Sequence, residues 1–269
     1  MDIGVMFWAG RDDLAEIRSM VDCGQLGLGP DLDLDAAFMA QWKSVLAMQH
    51  FRLATVVCSF HGESYADIPA VEASVGFIPH ATRTARERRA FEVSDFAAAL
   101  GVASIACHAG FIPDDRTDPD YIAVRDVVRR VCDHAASHGQ NFALETGQEP
   151  AEVLLRFLED AGRGNLKINF DPANMILYGS GDPIAAFEAL APYVVSVHAK
   201  DGDPPPAAFP GQLGIERPLG QGSVGIPRFI EALRHAGYNG GVNVEREIED
   251  QRQRMVEIRA AVEWLRTLI

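Results

Sequence analysis

Short apolar segments alternate with helix-like segments from one end of the chain to the other, and this alternation restricts the fold more than any other feature. The strand-like segments are Ile3–Trp8, Cys23–Leu28, Leu53–Phe60, Ala103–His108, Phe142–Thr146, Leu166–Phe170, Val194–His198 and Val242–Glu245. Several are rich in β-branched or aromatic residues and nearly continuous in apolar character, as strands covered on both faces must be. CGQLGL, the second, is the least strand-like. Strands separated by helices in strict alternation imply a parallel sheet. Eight such units in 269 residues match a (β/α)₈ TIM barrel, for which about 250 residues is typical. With no linker, charge block or longer repeat, residues 1–269 are expected to form one α/β domain.

Helix punctuation fills the gaps. Phe38, Trp42, Val45, Leu46 and Met48 place an apolar face on a helix over Asp35–His50. Ser94 is placed to N-cap a short helix ending at Gly101. A helix over Tyr121–His138 stops at Gly139, and Pro150, Pro183 and Pro227 open three more, the first ending near Gly162 and the last at Gly237. Arg252–Leu268 closes the chain. Two connections exceed what a plain connector needs. Phe60–Arg83 follows the third strand; Ala199–Gly225 follows the seventh and carries Pro204, Pro205, Pro206, Pro210 and Pro218. Long βα loops on a barrel sit over the active site, and the prolines suggest a fixed shape.

Polar residues fall where chemistry would need them. Strand five (NFALETG) delivers Glu145 at its C-terminal end, strand six (LKINFDP) Asp171, strand seven (VVSVHAKD) His198, and strand eight (GGVNVERE) Glu245. In a barrel these ends meet at one rim. Each residue taken alone has an ordinary explanation: a loop charge, a cap before proline, a core histidine. Four on consecutive strand ends do not. Three carboxylates and an imidazole converging there would repel one another, and a divalent cation resolves that. Three oxygens and one nitrogen suit Mn²⁺, Mg²⁺ or Co²⁺, with Zn²⁺ less favoured. Such a cation would polarise a carbonyl and favour an enediolate, while Glu145 and Glu245, on non-adjacent strands, could move a proton on either side of a bound sugar. His61 (with Glu63 nearby), His108, Lys200 and Asn174 are candidate substrate contacts, with Gln148 beside them. Arg246, one residue past Glu245, is expected to face away and form a salt bridge. Gly220-Gln221-Gly222 is expected to be a tight turn, since it lacks the flanking strand and helix of a phosphate loop.

The set Glu145, Asp171, His198 and Glu245 resembles that of the xylose-isomerase-like TIM barrels, the sugar phosphate isomerase/epimerase superfamily. The resemblance spans essentially the whole chain and is most specific in ETGQE (145–149), NFDPANM (169–175), HAKD (198–201), PLGQG (218–222) and GYNGGVNVERE (237–247). It implies that Glu145 and Glu245 are both metal ligands and the acid/base pair of a metal-dependent isomerase or epimerase. Two departures argue against a ketohexose 3-epimerase. Asn174 stands where those enzymes carry a substrate-contacting His, and Asp203-Pro204-Pro205 stands where they carry a substrate-binding Arg. The HxKD form at His198 is more similar to the inosose dehydratase and hydroxypyruvate isomerase branches, so a dehydratase of a keto-polyol on the same site is the main alternative.

Charge and cysteine usage bound the remaining classes. A net charge of −14 opposes nucleic-acid phosphates and anionic membranes, and with them a nuclease of the endonuclease-IV type. A non-catalytic sugar-binding subunit is disfavoured because all four ligand positions are filled. Cys23, Cys58, Cys107 and Cys132 form no CxxC pair and read as small buried hydrophobes of a reducing compartment. The N-terminus has no signal-peptide pattern and no apolar run approaches ~18 residues, so a cytoplasmic enzyme acting on a small carbohydrate is expected. A homo-oligomer is compatible with the sequence.

Overall fold

All eight expected strands form, run parallel and close on themselves. The computed structural model describes residues 1–208 and 211–269. Pro210 of the second long loop lies outside the described residues. In chain order the elements are β1 (Asp2–Trp8), α1 (Leu14–Arg18), β2 (Cys23–Leu28), α2 (Ala36–Gln49), β3 (Arg52–Cys58), α3 (Ile68–Ser74), α4 (Arg83–Ala99), β4 (Ser104–Cys107), α5 (Pro119–Ser137), β5 (Asn141–Glu145), α6 (Ala151–Ala161), β6 (Leu166–Phe170), α7 (Pro172–Tyr178), α8 (Pro183–Leu190), β7 (Val194–Ala199), β8 (Asp201–Asp203), β9 (Ile215–Arg217), α9 (Ile226–His235), β10 (Gly241–Val244) and α10 (Gln251–Leu268). The barrel runs β1-β2-β3-β4-β5-β6-β7-β10 and closes where Asp2–Val5 pairs with Gly241–Val244. This is a TIM barrel.

The main core lies between the strands and the helical ring, because each strand turns its apolar alternate residues outward. Phe170 of β6, for example, meets Phe187 of α8 and Phe229 of α9 at centroid distances of 5.5 and 5.7 Å. Such aromatic pairs add about 0.5–1.5 kcal/mol each beyond area burial. The inward set is different. Met6, Val57, Ala106 and Ala143 form a small apolar cluster of their own. Gln25, Asn169, Ser196 and Asn243 form a buried polar layer inside the barrel, where Gln25 Nε2 donates to Asn169 Oδ1 (3.0 Å) and Ser196 Oγ (2.5 Å). Two residues further along, the period-2 alternation of a strand brings Glu145, Asp171, His198 and Glu245 onto the same inward face.

Helix ends follow local chemistry. Asp35 caps α2 by accepting from Phe38 N (2.7 Å), and His50 ends it in the left-handed conformation (φ 49°). Asp118 caps α5, with Pro119 in its first turn. Arg246 pairs with Glu216 and Glu257 at 2.7 and 2.6 Å and does not itself line the cavity. All four cysteines are free and buried. Among the described residues no helix is long and apolar enough to cross a membrane.

The expected short helix capped by Ser94 is corrected. Ser94 lies inside the 17-residue α4, fully buried, and its hydroxyl donates to Gln140 Oε1 at 2.6 Å instead of capping a terminus. The helix starts eleven residues earlier, after Thr82. The two long loops also carry structure that was not expected. Phe60–Arg83 contains α3, capped by Asp67; Ala199–Gly225 contains the antiparallel β8–β9 hairpin. Ile68 N donates to Gly211 O at 2.9 Å, tying the first loop to the second.

Candidate active site

Glu145, Asp171, His198 and Glu245 converge. One ligand-capable atom from each lies within 4.8 Å of all the others, and all four residues are buried. Glu145 is the last residue of β5, His198 is the next-to-last of β7, and Asp171 and Glu245 follow β6 and β10 directly. His198 Nδ1 is 3.3 Å from Glu145 Oε1, 3.6 Å from Asp171 Oδ2 and 3.0 Å from Glu245 Oε2.

Each member is held from behind. His198 Nε2 lies 2.6 Å from Gln25 Oε1, so Gln25 accepts the ring N–H there and leaves the Nδ1 lone pair facing the carboxylates. Asp171 divides its carboxylate. Oδ1 caps α7, accepting from Ala173 N (2.8 Å) and Asn174 N (3.0 Å). Oδ2 is buried, has no hydrogen-bond partner and points toward Nδ1 of His198, which has none either. Thr146 braces the same segment, accepting from Asp171 N (2.8 Å) and donating to Asp171 O (3.1 Å). Asn174 Nδ2 sits 3.3 Å from Glu145 Oε1. Gly147 permits this approach: at φ 147°, an added Cβ would lie 2.5 Å from the Cβ of Asn174.

The two orphaned atoms, Asp171 Oδ2 and His198 Nδ1, are what a metal centre would leave when only protein atoms are counted. The charge also fits. Three carboxylates around one imidazole, with the Lys200 ammonium shared between Glu245 and Glu247, leave the cluster negative, as a site for a divalent cation would be. Lys200 Nζ donates to Glu245 Oε2 (3.0 Å) and Glu247 Oε2 (2.8 Å) and lies 3.7 Å from Asp171 Oδ2.

Electrostatics within the cluster run the same way. Burial works to lower the His198 imidazole, but the carboxylates of Glu245 and Glu145 outweigh it and hold the ring well above its usual range. The cage therefore asks for positive charge at Nδ1, as a proton or as a cation. Burial would raise the Glu145 carboxyl; His108, His198 and then Lys200 reverse that and hold it below the ordinary carboxylate range. Burial would lower Lys200, and Glu245, Glu247 and Asp171 keep it firmly protonated.

The cluster opens into a cavity of about 400 Å³, within the range of small-molecule sites. Glu145, Glu245, His108, Lys200 and Asn174 all line it. His108 Nε2 is 3.5 Å from Glu145 Oε1, and its Nδ1 is 3.0 Å from Gln148 Nε2. The candidate contact at His61 is corrected. Its side chain is 85% exposed and pairs with Asp31 at 3.3 Å, outside the cavity wall. Glu63 clamps the same loop, accepting from Phe60 N and Gly76 N at 2.9 Å each.

Several lining residues were not anticipated: Trp8, Tyr65, Tyr178, Glu216 and Glu247. Tyr65 arrives on the loop after β3, packed 5.7 Å from the His108 ring, and no local pattern marks it. Glu247 could have been read from the ERE triplet, since it shares period-2 alternation with Glu245. Gln25 could have been read as the polar residue in an otherwise apolar strand. The Pro218–Gly222 stretch is a tight turn, held by Asp201, whose Oδ2 accepts from Gly220 N and Gly222 N at 3.0 Å each.

A model of the family described as xylose isomerase-like TIM barrel matches residues 13–268. Among solved structures, a xylose isomerase domain protein from Planctomyces limnophilus is 38% identical, with a TM-score of 0.95, covering 99% of this chain and 96% of that one. A D-psicose 3-epimerase from Clostridium cellulolyticum H10, solved with D-tagatose, shares the fold at TM-score 0.72 and 17% identity over 100% and 99% of the two chains. A probable 3-DHS dehydratase involved in petrobactin synthesis from Bacillus anthracis does so at 0.71 and 16%, over 99% of each. No curated protein sequence matches.

Proposed function

This chain belongs to the xylose isomerase-like TIM barrel family, and from that premise we propose that it is a metal-dependent sugar isomerase or epimerase, transferring a proton next to a carbonyl. The observation that carries the reading is the meeting of three carboxylates and one imidazole at the wall of a sugar-sized cavity. Glu145, Asp171, His198 and Glu245 would hold one divalent cation, with Mn²⁺, Mg²⁺ or Co²⁺ favoured by the oxygen-rich donor set. Bound there, the cation supplies Lewis-acid polarisation of a substrate carbonyl.

The chain's own residues supply the rest. Glu145 and Glu245 come from β5 and the end of β10, with β6 and β7 between them. That spacing lets one carboxylate remove a proton from the substrate carbon and the other return one on the opposite face. The removal leaves an enediolate, whose oxygen charge the Lys200 ammonium faces across the cavity. His108 and Asn174 both lie against Glu145 and orient it while offering ring and amide groups to sugar hydroxyls. Trp8, Tyr65 and Tyr178 add aromatic surface to the cavity wall, suited to the C–H surface of a sugar.

The test is a screen of ketoses, aldoses and inososes in D₂O with metal-reconstituted protein, read by NMR. Deuterium entering the carbon beside the carbonyl, with the skeleton retained, is expected. Glu245→Gln should abolish that exchange; wild-type rates in the variant would refute the assignment. A second reading starts from the same proton removal: if the carboxyl that took the proton passes it to a hydroxyl on the carbon beyond the enediolate, that hydroxyl leaves as water and the reaction is a dehydration. The same screen separates it, because a dehydratase product is lighter by one water.

A further inference from the structure

The structure assigns a second metal site, on the outside of the barrel, to Asp95, His134 and His138. It would take one Zn²⁺ ion and clip α4 to α5. One ligand-capable atom from each of the three residues lies within 4.8 Å of the others. Both imidazoles direct Nε2 at the same oxygen: Asp95 Oδ1 is 2.7 Å from His134 Nε2 and 2.8 Å from His138 Nε2.

The spacing comes from the helices. His134 and His138 stand four residues apart at the end of α5, so they share one face, as two metal-binding histidines on a helix must. Asp95 and Phe91 have the same spacing on α4 and face them. Phe91 stacks on His134 with centroids 4.5 Å apart and planes at 16°, which fixes the ring with Nε2 toward Asp95. The two imidazoles lie 5.4 Å apart, edge to face. The site is open to an arriving ion: the side chains of Asp95, His134 and His138 are 56%, 28% and 34% exposed.

Two nitrogens and one carboxylate oxygen, with room for a water, make a tetrahedral zinc set. Ideal bond lengths would open the nitrogen–oxygen contacts to roughly 3.3 Å, a shift of about half an ångström that partly exposed side chains can make. The C-terminal end of α5 adds a favourable field for a cation. The site is separate from the four-residue cluster. Helices of a βα barrel return from the rim that carries the strand C-termini, so the last turns of α4 and α5 lie at the opposite end of the barrel, the face associated with stability.

Two measurements test this. Crystals of the intact protein soaked in about 1 mM zinc and measured across the zinc edge should show an anomalous peak about 2.1 Å from both Nε2 atoms. Rings still hydrogen-bonded to Asp95, with no peak, would overturn the site. In solution, zinc uptake of the wild type should exceed that of His134→Gln/His138→Gln by one equivalent, with a matching loss of the zinc-induced rise in Tm. Asp95→Asn, which leaves both rings in place, should weaken the same equivalent at least about 10-fold, since losing even a group that only orients a ligand costs that much. Equal uptake and equal Tm shifts in all three proteins would end the proposal.

Discussion

His198 Nε2 and Gln25 Oε1 lie 2.6 Å apart across the interior of the barrel, joining β7 to β2. Through that bond a strand far from the candidate ligands fixes which imidazole nitrogen faces them. Groups that orient metal-binding histidines typically contribute 10–100-fold in affinity. Gln25→Leu, of similar volume, is therefore expected to weaken Mn²⁺ binding by about that factor while leaving the ligand set intact. Metal titration by calorimetry checks this; an unchanged affinity would mean that His198 is oriented by its surroundings without Gln25.

Asp171 makes a separable prediction, because its two oxygens do different work. Asparagine keeps the capping oxygen for Ala173 N and Asn174 N but removes the charge of Oδ2. Alanine removes both. Metal affinity should collapse in Asp171→Asn and Asp171→Ala alike. Unfolding in EDTA should distinguish them, with Asn at or above wild type, since one repelling charge is gone, and Ala below Asn by about 1 kcal/mol for the lost cap. Equal stabilities would show that the cap of α7 contributes nothing.

The convergence of the quartet was legible for a simple reason. A strand's period of two and the common rim of a parallel barrel turn sequence positions into spatial ones, so Glu145, Asp171, His198 and Glu245 needed no loop geometry. His61 did need it. Its loop is clamped by Glu63 bonding to the backbone of Phe60 and Gly76, which no local signal encodes. The early start of α4 was hidden because its first half buries arginines where a hydrophobic stripe is expected. Arg83 donates to Phe77 O and Arg86 to Gly76 O, both at 2.5 Å, so charged residues fill inward positions. Ser94 then looked like a cap only because the apolar pattern begins near it. The β8–β9 hairpin has three-residue strands, below the length at which alternation can be seen.

Ser94 offers a direct check on that correction. It is buried in mid-helix and satisfies Gln140 Oε1, while Gln140 Nε2 donates to Val102 O at 2.8 Å. Ser94→Ala leaves the buried amide oxygen unpartnered, a cost of about 1–3 kcal/mol, offset by roughly 0.5 kcal/mol from the better helix former. A fall in Tm of about 2–4 °C per kcal/mol is expected for a chain of this size, measured by circular dichroism. A variant as stable as wild type would show that Gln140 finds another donor.

Glu149 should make stability fall as pH rises. It lies just past Glu145 in sequence and is not one of the four clustered residues; its Oε2 is buried and unpartnered. Burial pushes its carboxyl up from 4.5 to about 8, and the backbone N–H groups of Glu149 and Ile112 pull it back only in part. The sign follows from proton counting. Between about 4.5 and about 8 the folded chain keeps this proton while the unfolded chain has released it, so the folded state binds more protons and loses stability with each step upward. The contribution is complete below the unfolded value and gone above the folded one. Each pH unit inside the window costs up to ~1.4 kcal/mol. Glu149→Gln keeps the shape and removes the titration. Urea midpoints of both proteins at fixed metal load, taken from about pH 5 to about pH 8 to span the window, should diverge steadily, with the variant gaining relative to wild type. A constant difference across that range would mean that Glu149 is ionised in the folded protein, its charge met by a partner or by water reaching Oε2.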